Sequence, residues 1–296
     1  MLKKLFLLNL LLLAFCWGDI ALEGNFEWEK NGKPYCTGII LANFELKEPR
    51  IMKINAARIE IKNPKIDFIV PLKEPNAGEP NPDNPKYPIC TRRQTVRAFM
   101  EKVRKPVDKG GLGLNMVLGV NSTAWGPWPP TNGTPYAGHL GLVVSAGTLV
   151  SPPLPRKDAF VIYKDRSCKI QTTPENFDIS NVYFAVAGFK EILKEGKCKG
   201  DKALHPRTGF GVSQDGKYMY IVVIDGRQKG YSEGCTTLEV AQLLKHFGAW
   251  NGINMDGGGS STLMILDENK KPKMLNHHAE GGERSIACPF GFILKE

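Results

Sequence analysis

Gly252-Ile-Asn-Met-Asp256-Gly-Gly-Gly-Ser-Ser-Thr-Leu263 carries the strongest signal in the chain. A short apolar run ends on a carboxylate, three glycines follow, and three hydroxyl side chains come next. Consecutive glycines lose much backbone entropy on ordering and bury no side chain. A fold keeps them where the backbone turns sharply, or where a ligand must come close to its N–H groups. The flanks, 253–255 and 262–266, have the composition of strands. The stretch therefore reads as strand, tight loop, strand, with Asp256 ending the first strand. A plain turn would look similar. The carboxylate before the glycines, with Ser260, Ser261 and Thr262 after them, points instead to a loop beside an oxygen-rich substrate.

Working outward, strands dominate. Apolar residues alternate over 51–71, broken at Asn63-Pro64, which reads as a hairpin or tight connection. Residues 73–88, rich in Pro, Asn, Asp and Glu, read as a long surface loop. Further strands are expected at 112–120, 159–163, 182–187 and 285–294. Hairpins are expected over 140–150, with Gly147 near the turn, and around Asp215-Gly216. Two capping boxes suggest helices. Thr91-Arg92-Arg93-Gln94 precedes Val96, Phe99, Met100 and Val103, with Pro106 as the stop. Thr236-Thr237-Leu238-Glu239 precedes Ala241, Leu244 and Phe247, with Gly248 as the stop. Few helices and no regular βαβ rhythm predict an α+β fold with mixed, largely antiparallel sheets, formed by a single domain over 19–296.

The first residues have another purpose. Lys3 and Lys4 precede an apolar run broken only by Asn9, and Cys16-Trp17-Gly18 offers small residues for a cut after Gly18. This is the pattern of a secretory signal peptide over 1–18, too short to anchor the chain, so export without stable membrane insertion is expected. A lipid on Cys16 is disfavoured by the bulky Phe15 before it. Export leaves Cys36, Cys90, Cys168, Cys198, Cys235 and Cys288, an even set that suggests disulfides of undetermined pairing. No CxxC pair suggests zinc, and no metal or cofactor is expected. The net charge of +9 is spread along the chain, which argues against nucleic acid as a partner and suits an anionic glycan or phosphate-bearing substrate.

Phosphate-loop, dinucleotide-loop and serine-hydrolase-elbow motifs are absent from the sequence. What remains are polar clusters at strand ends: Asn121-Ser122-Thr123, His205-Pro206-Arg207-Thr208, Asp225-Gly226-Arg227, Asp256 with its glycines, and Glu283-Arg284. Carboxylates beside amides and hydroxyls suit sugar chemistry, because a developing oxocarbenium ion needs negative charge nearby. Trp125, Trp128 and Tyr136 offer flat faces to a sugar ring, although packing under their loop would explain them equally well. Asn121 and Asn132 head glycosylation sequons, and neither is expected to be used.

The order and spacing of these clusters, from His205 through Val223–Arg227, Ser232 to Glu239, Asn254 to Thr262 and Glu283-Arg284, are similar to those of the phosphodiester glycosidase family. The resemblance runs from about Ile51 to the C-terminus. It departs at Asn121-Ser122-Thr123-Ala124-Trp125, where family members carry an Asn-Gly stretch followed by two phenylalanines. The resemblance implies hydrolysis between an anomeric carbon, that of α-N-acetylglucosamine foremost, and phosphate. Asp256 or Asp225 is then expected to activate water and steady the sugar cation. His205 would carry a proton, Glu283 would supply a further carboxylate, and Arg207 would clamp the leaving phosphate. Asn121, Thr208, Arg227, Gly257, Gly258, Gly259, Ser260, Ser261, Arg284, Trp125 and Trp128 would surround the substrate. The alternative is a non-catalytic glycan-binding or envelope-assembly protein.

Overall fold

A computed structural model describes residues 20, 22, 24–129, 133–279 and 281–296. Residues 1–18, expected to be a signal peptide, and Asn132 of the second sequon lie outside the described residues. Strands pair antiparallel throughout the described sheets, and helices are few, so the chain is a single α+β domain as expected. The largest sheet has eight strands. In spatial order they are Lys33–Cys36, Ile39–Leu46, Met52–Glu60, Tyr218–Ile224, Arg207–Val212, Asn251–Asn254, Lys190–Lys194 and Lys197–Cys198. A five-stranded sheet contains Met116–Asn121 between Leu263–Leu266 and Pro289–Leu294. A second five-stranded sheet is built on Asp158–Tyr163 and Val182–Ala187.

Both faces of the large sheet are covered. On one face Ile59, Ile221, Phe210, Ile253 and Met255 meet Phe160 and Phe184 of one five-stranded sheet and Leu118, Phe290 and Phe292 of the other. The rings of Phe184, Phe290 and Phe292 stack at centroid distances of 4.5 and 4.4 Å. On the opposite face Met52, Ile54 and Val222 meet the helix Thr237–His246 through Val240, Leu244 and Phe247. That helix starts as its sequence predicts. The Thr236 hydroxyl accepts from Glu239 N–H and the Glu239 carboxylate accepts from Thr236 N–H, a pair worth about 1 kcal/mol.

Three expectations need correction. The first helix, Val96–Arg104, is capped by Thr95 and not Thr91. The Thr91 hydroxyl is already bonded to Ala287 O at 3.0 Å and faces His139, and Thr91-Arg92 forms a short strand. Of the two readings of Asn63-Pro64, the tight connection holds and the hairpin does not, because Met52–Glu60 and Ile66–Ile69 belong to different sheets. The six cysteines form no disulfide with one another among the described residues. Cys36, Cys168, Cys198, Cys235 and Cys288 pack as small apolar groups, and burial pushes Cys36 and Cys288 up to about 11 and raises Cys168 and Cys235 well above the usual range.

Candidate active site

The register of the large sheet gathers most of the expected residues at one end. Arg207 lies opposite Ile224, and Gly209 opposite Asn254, so Asp225 and Asp256 leave the sheet on either side of Arg207. At Asp256 the chain crosses toward Met116–Asn121 of the neighbouring sheet, its N–H bonding Ser122 O at 3.0 Å. The glycines let it turn there. Gly258 takes a φ of +61°, and a Cβ on Gly257 would stand 2.8 Å from Pro206 O.

Four of the loop's amides are engaged inside the protein. Gly257 N–H donates to Asp256 Oδ1, Gly258 N–H to Pro206 O, Ser260 N–H to Gly257 O and Ser261 N–H to Gly258 O. The expectation that the loop cradles substrate with its backbone is corrected for these four amides: they position Asp256 and the Ser260 side chain.

Asn121 is the fastening beneath. It is fully buried. Its Nδ2 donates to Asp256 O at 2.6 Å, and its Oδ1 accepts from the Thr208 hydroxyl at 2.8 Å and Thr262 N–H at 3.0 Å. Asn121 and Thr208 therefore hold the site together and do not face substrate. A glycan on Asn121 is incompatible with that burial.

Asp256 opens into a cleft of about 120 Å³ whose other walls are Ser260, Arg284, Trp125 and Trp128. Burial raises the Asp256 pKa to about 6, against hydrogen bonds from the Ser260 hydroxyl and Gly257 N–H and the attraction of Arg284. Such a carboxylate is ionised at neutral pH and can accept a proton. Trp125 is buried, whereas Trp128 is 56% exposed and meets Trp125 edge to face at 5.4 Å. The Arg284 guanidinium lies 4.3 Å from the Trp128 ring centre. An anion, a carboxylate and an aromatic wall thus have places within one small space.

The other expected residues sit around this cleft or apart from it. Asp225 is only 1% exposed, and it receives His277 N–H at 2.9 Å. Burial lifts its pKa to about 6 despite help from His277, Asn276 and Tyr231. Asn276 in turn donates to Ser261 O and accepts from Leu263 N–H, so Asp225 supports the loop from below. Ser261 is buried within this support. Arg207 turns its guanidinium away from the cleft toward Cys235 O, Ala203 O and the Asp201 carboxylate. Arg227 lies over Gly258 and bonds His205 Nδ1 at 3.3 Å. Burial and the charges of Arg207 and Arg227 hold the His205 pKa below its ordinary value, which favours the neutral ring. Glu283 pairs with Arg97 at 2.6 Å, a tie between the helix Val96–Arg104 and the segment carrying Arg284. Tyr136 lies in the strand Tyr136–His139 under Arg92.

Sequence reasoning passed over Asn276 and His278. The His278 ring bonds the Thr262 hydroxyl at 3.0 Å, and an Asn-His-His run shortly after the glycine loop was the available signal. Among the described residues no group of three or more His, Cys, Asp or Glu side chains could hold a metal ion. No helix among them is long and apolar enough to cross a membrane.

Comparison with known proteins accords with this geometry. The family model described as phosphodiester glycosidase matches residues 117–293. The catalytic domain of zebrafish N-acetylglucosamine-1-phosphodiester α-N-acetylglucosaminidase, auto-inhibited by its pro-peptide, superposes with a TM-score of 0.61 at 16% identity over 87% of this chain and 83% of that one. A candidate exported protein of Burkholderia pseudomallei K96243 superposes with a TM-score of 0.60 at 14% identity over 82% and 74%. A SPbeta prophage-derived uncharacterized protein of Bacillus subtilis (strain 168), YomE, is 33% identical over 82 residues, which are 28% of this chain and only 12% of that protein.

Proposed function

The chain belongs to the phosphodiester glycosidase family, and we propose on that premise that it hydrolyses the bond between a sugar's anomeric carbon and phosphate. The sugar in this reading is α-linked N-acetylglucosamine, the sugar in the name of the zebrafish fold relative. The observation that carries the reading is the shared cleft of Asp256, Ser260, Arg284, Trp125 and Trp128.

The chemistry follows from what leaves. Phosphate is a far weaker base than a sugar alkoxide, so its departure needs little protonation. The site must mainly steady positive charge on the sugar and direct water. Trp128 supplies a flat face for the ring. Arg284 stands where it can pair with phosphate oxygens through its planar fork. Asp256 orients a water and takes its proton. The water oxygen bonds to the anomeric carbon, the bond from that carbon to the phosphate oxygen breaks, and the phosphate keeps the electron pair. Arg284, which shares the cleft, takes the phosphate-clamping role expected of Arg207.

We also read the chain as exported, on the signal-like composition of residues 1–18. The test is turnover of uridine diphosphate N-acetylglucosamine and of simpler α-N-acetylglucosamine-1-phosphodiesters by purified protein. Release of free sugar supports the proposal. Binding of these compounds without release would favour a glycan-binding role, for which the exposed Trp128 is already suited.

A further inference from the structure

A second and larger cleft, of about 720 Å³, lies beside the same strand that ends in Asp256. Asn254, Arg207, Lys157, Phe189, Lys190 and Lys199 stand on its walls. Asn254 precedes Asp256 by two residues, roughly 7 Å of extended chain.

Two independent features of this cleft point to a ligand. The first is Asn254. It is only 5% exposed, yet its Oδ1 has no hydrogen-bond partner among the described residues. A buried acceptor without a donor is costly and is kept where a donor from outside can meet it. The second is charge. Arg156, Lys157, Lys190, Lys199 and Arg207 outnumber the carboxylates of Glu191 and Asp201. Arg207 is paired with Asp201, while Lys157, Lys190 and Lys199 make no ion pair among the described residues. Lys157 sits 5.0 Å above the ring of Phe189, itself 38% exposed, so an apolar face lies beside the cations. The ligand that answers both features, and the Phe189 ring beside them, has hydroxyl donors, repeated negative charge and a carbon face.

We propose that this cleft receives the phosphate-side continuation of the substrate, and that the substrate is a polyanionic polyol or glycan chain rather than a single sugar phosphodiester. A hydroxyl of the chain donates to Asn254 Oδ1, its anionic groups lie against Lys157, Lys190 and Lys199, and a sugar or polyol face rests on Phe189. The proposal rests on the phosphodiester reading, which supplies the direction in which the chain leaves Asp256.

Calorimetry on the full purified protein tests it, with oligo(glycerol phosphate), oligogalacturonate, inorganic polyphosphate, a neutral dextran oligomer and single-stranded DNA of matched length as probes. The anionic polyols should bind at least tenfold more tightly than dextran and DNA, and the stronger of the two names the anion. Lys157→Glu combined with Lys190→Glu, the first half-buried and the second exposed, should weaken that binding at least tenfold. Asn254→Ala should weaken the polyols several-fold and leave polyphosphate, which has no hydroxyl, unaffected. Should that variant melt early, the lysine pair still decides. No binding of the anionic polyols, equal binding of DNA, or indifference to the lysine changes would overturn the proposal. Turnover of a small sugar phosphodiester without polyol binding would overturn this cleft and leave the hydrolytic reading standing. Polyol binding without any turnover would support the cleft and remove that reading.

Discussion

Asn121 donates from Nδ2 to the main-chain carbonyl of Asp256 at 2.6 Å, tying the end of one sheet to the carboxylate that ends a strand of another. The same amide accepts from Thr208 and Thr262, so one buried side chain fixes three segments around the cleft. Asn121→Ala leaves a buried hydroxyl and a buried N–H without their acceptor. Each such group costs about 1–3 kcal/mol, so urea unfolding should show a loss of about 2–6 kcal/mol, with turnover falling as Asp256 loosens. A variant as stable and as active as the parent would contradict this fastening role.

The glycine loop gives a contrast between neighbours. On Gly257 a Cβ would meet the Pro206 carbonyl at 2.8 Å, a backbone atom that cannot step aside. On Gly258 it would meet the movable end of Arg227 at 3.2 Å, but at a φ of +61°. Gly258→Ala should therefore cost about 1 kcal/mol in backbone strain, while Gly257→Ala should displace the loop and lower activity more than stability at 258 would suggest. Parallel thermal melts and initial rates for the two variants check the order. Equal effects would mean that the backbone contact at Gly257 is unimportant.

Asp225 predicts a pH signature. Its folded pKa is raised to about 6 by burial, above the unfolded value near 3.8. A raised carboxylate favours the folded state while protonated. Its contribution is therefore greatest below about pH 4 and is lost as pH rises through about 6. Lys53, Tyr231 and His277 face the group and temper the effect. Asp225→Asn keeps an acceptor for His277 N–H and has no charge to bury. It should gain stability relative to the parent on going from pH 4.5 to pH 8, by about 1–3 kcal/mol. A difference that does not change with pH would show that Asp225 ionises in the fold at no cost.

Much of the framework was readable from local chemistry. The Thr236 capping box, the turn at Asp215-Gly216 and the strand leading to Asp256 depend on residues close in sequence, where propensity and hydrogen bonding act directly. The strand Ile39–Leu46 was missed for a physical reason. Ile39 and Leu41 face one core while Ile40, Ala42 and Phe44 face the other, so polar residues do not alternate as they do on a half-exposed strand. Thr91 misled because its hydroxyl has long-range partners, Ala287 and His139, that no local pattern reports. At the site, residue types were legible but directions were not. Arg207 and Arg284 look alike in sequence, and only the packing turns one toward Asp201 and the other toward Asp256.

Those directions separate the two arginines experimentally. Arg284→Ala should reduce turnover of sugar phosphodiesters by about a hundredfold, through loss of charge-assisted bonds to the phosphate. An aryl α-N-acetylglucosaminide, whose leaving group bears no phosphate, should suffer less. Arg207→Ala should lower stability by removing the bonds to Cys235 O and Ala203 O, with a smaller effect on small-substrate rates. The reverse pattern would return the phosphate to Arg207.

In the proposed reaction Asp256, ionised in its cleft, performs the hydrolysis. The most direct measurement is the pH dependence of single-turnover cleavage of an α-N-acetylglucosamine phosphodiester by the parent and by Asp256→Asn, each with a thermal melt. The parent rate should rise with pH through about 6, the value to which burial lifts this carboxylate. The variant, nearly isosteric, should fold and lose roughly a thousandfold in rate, about 4 kcal/mol of transition-state stabilisation. A folded Asp256→Asn protein with near-parental turnover and the same pH profile would contradict the account.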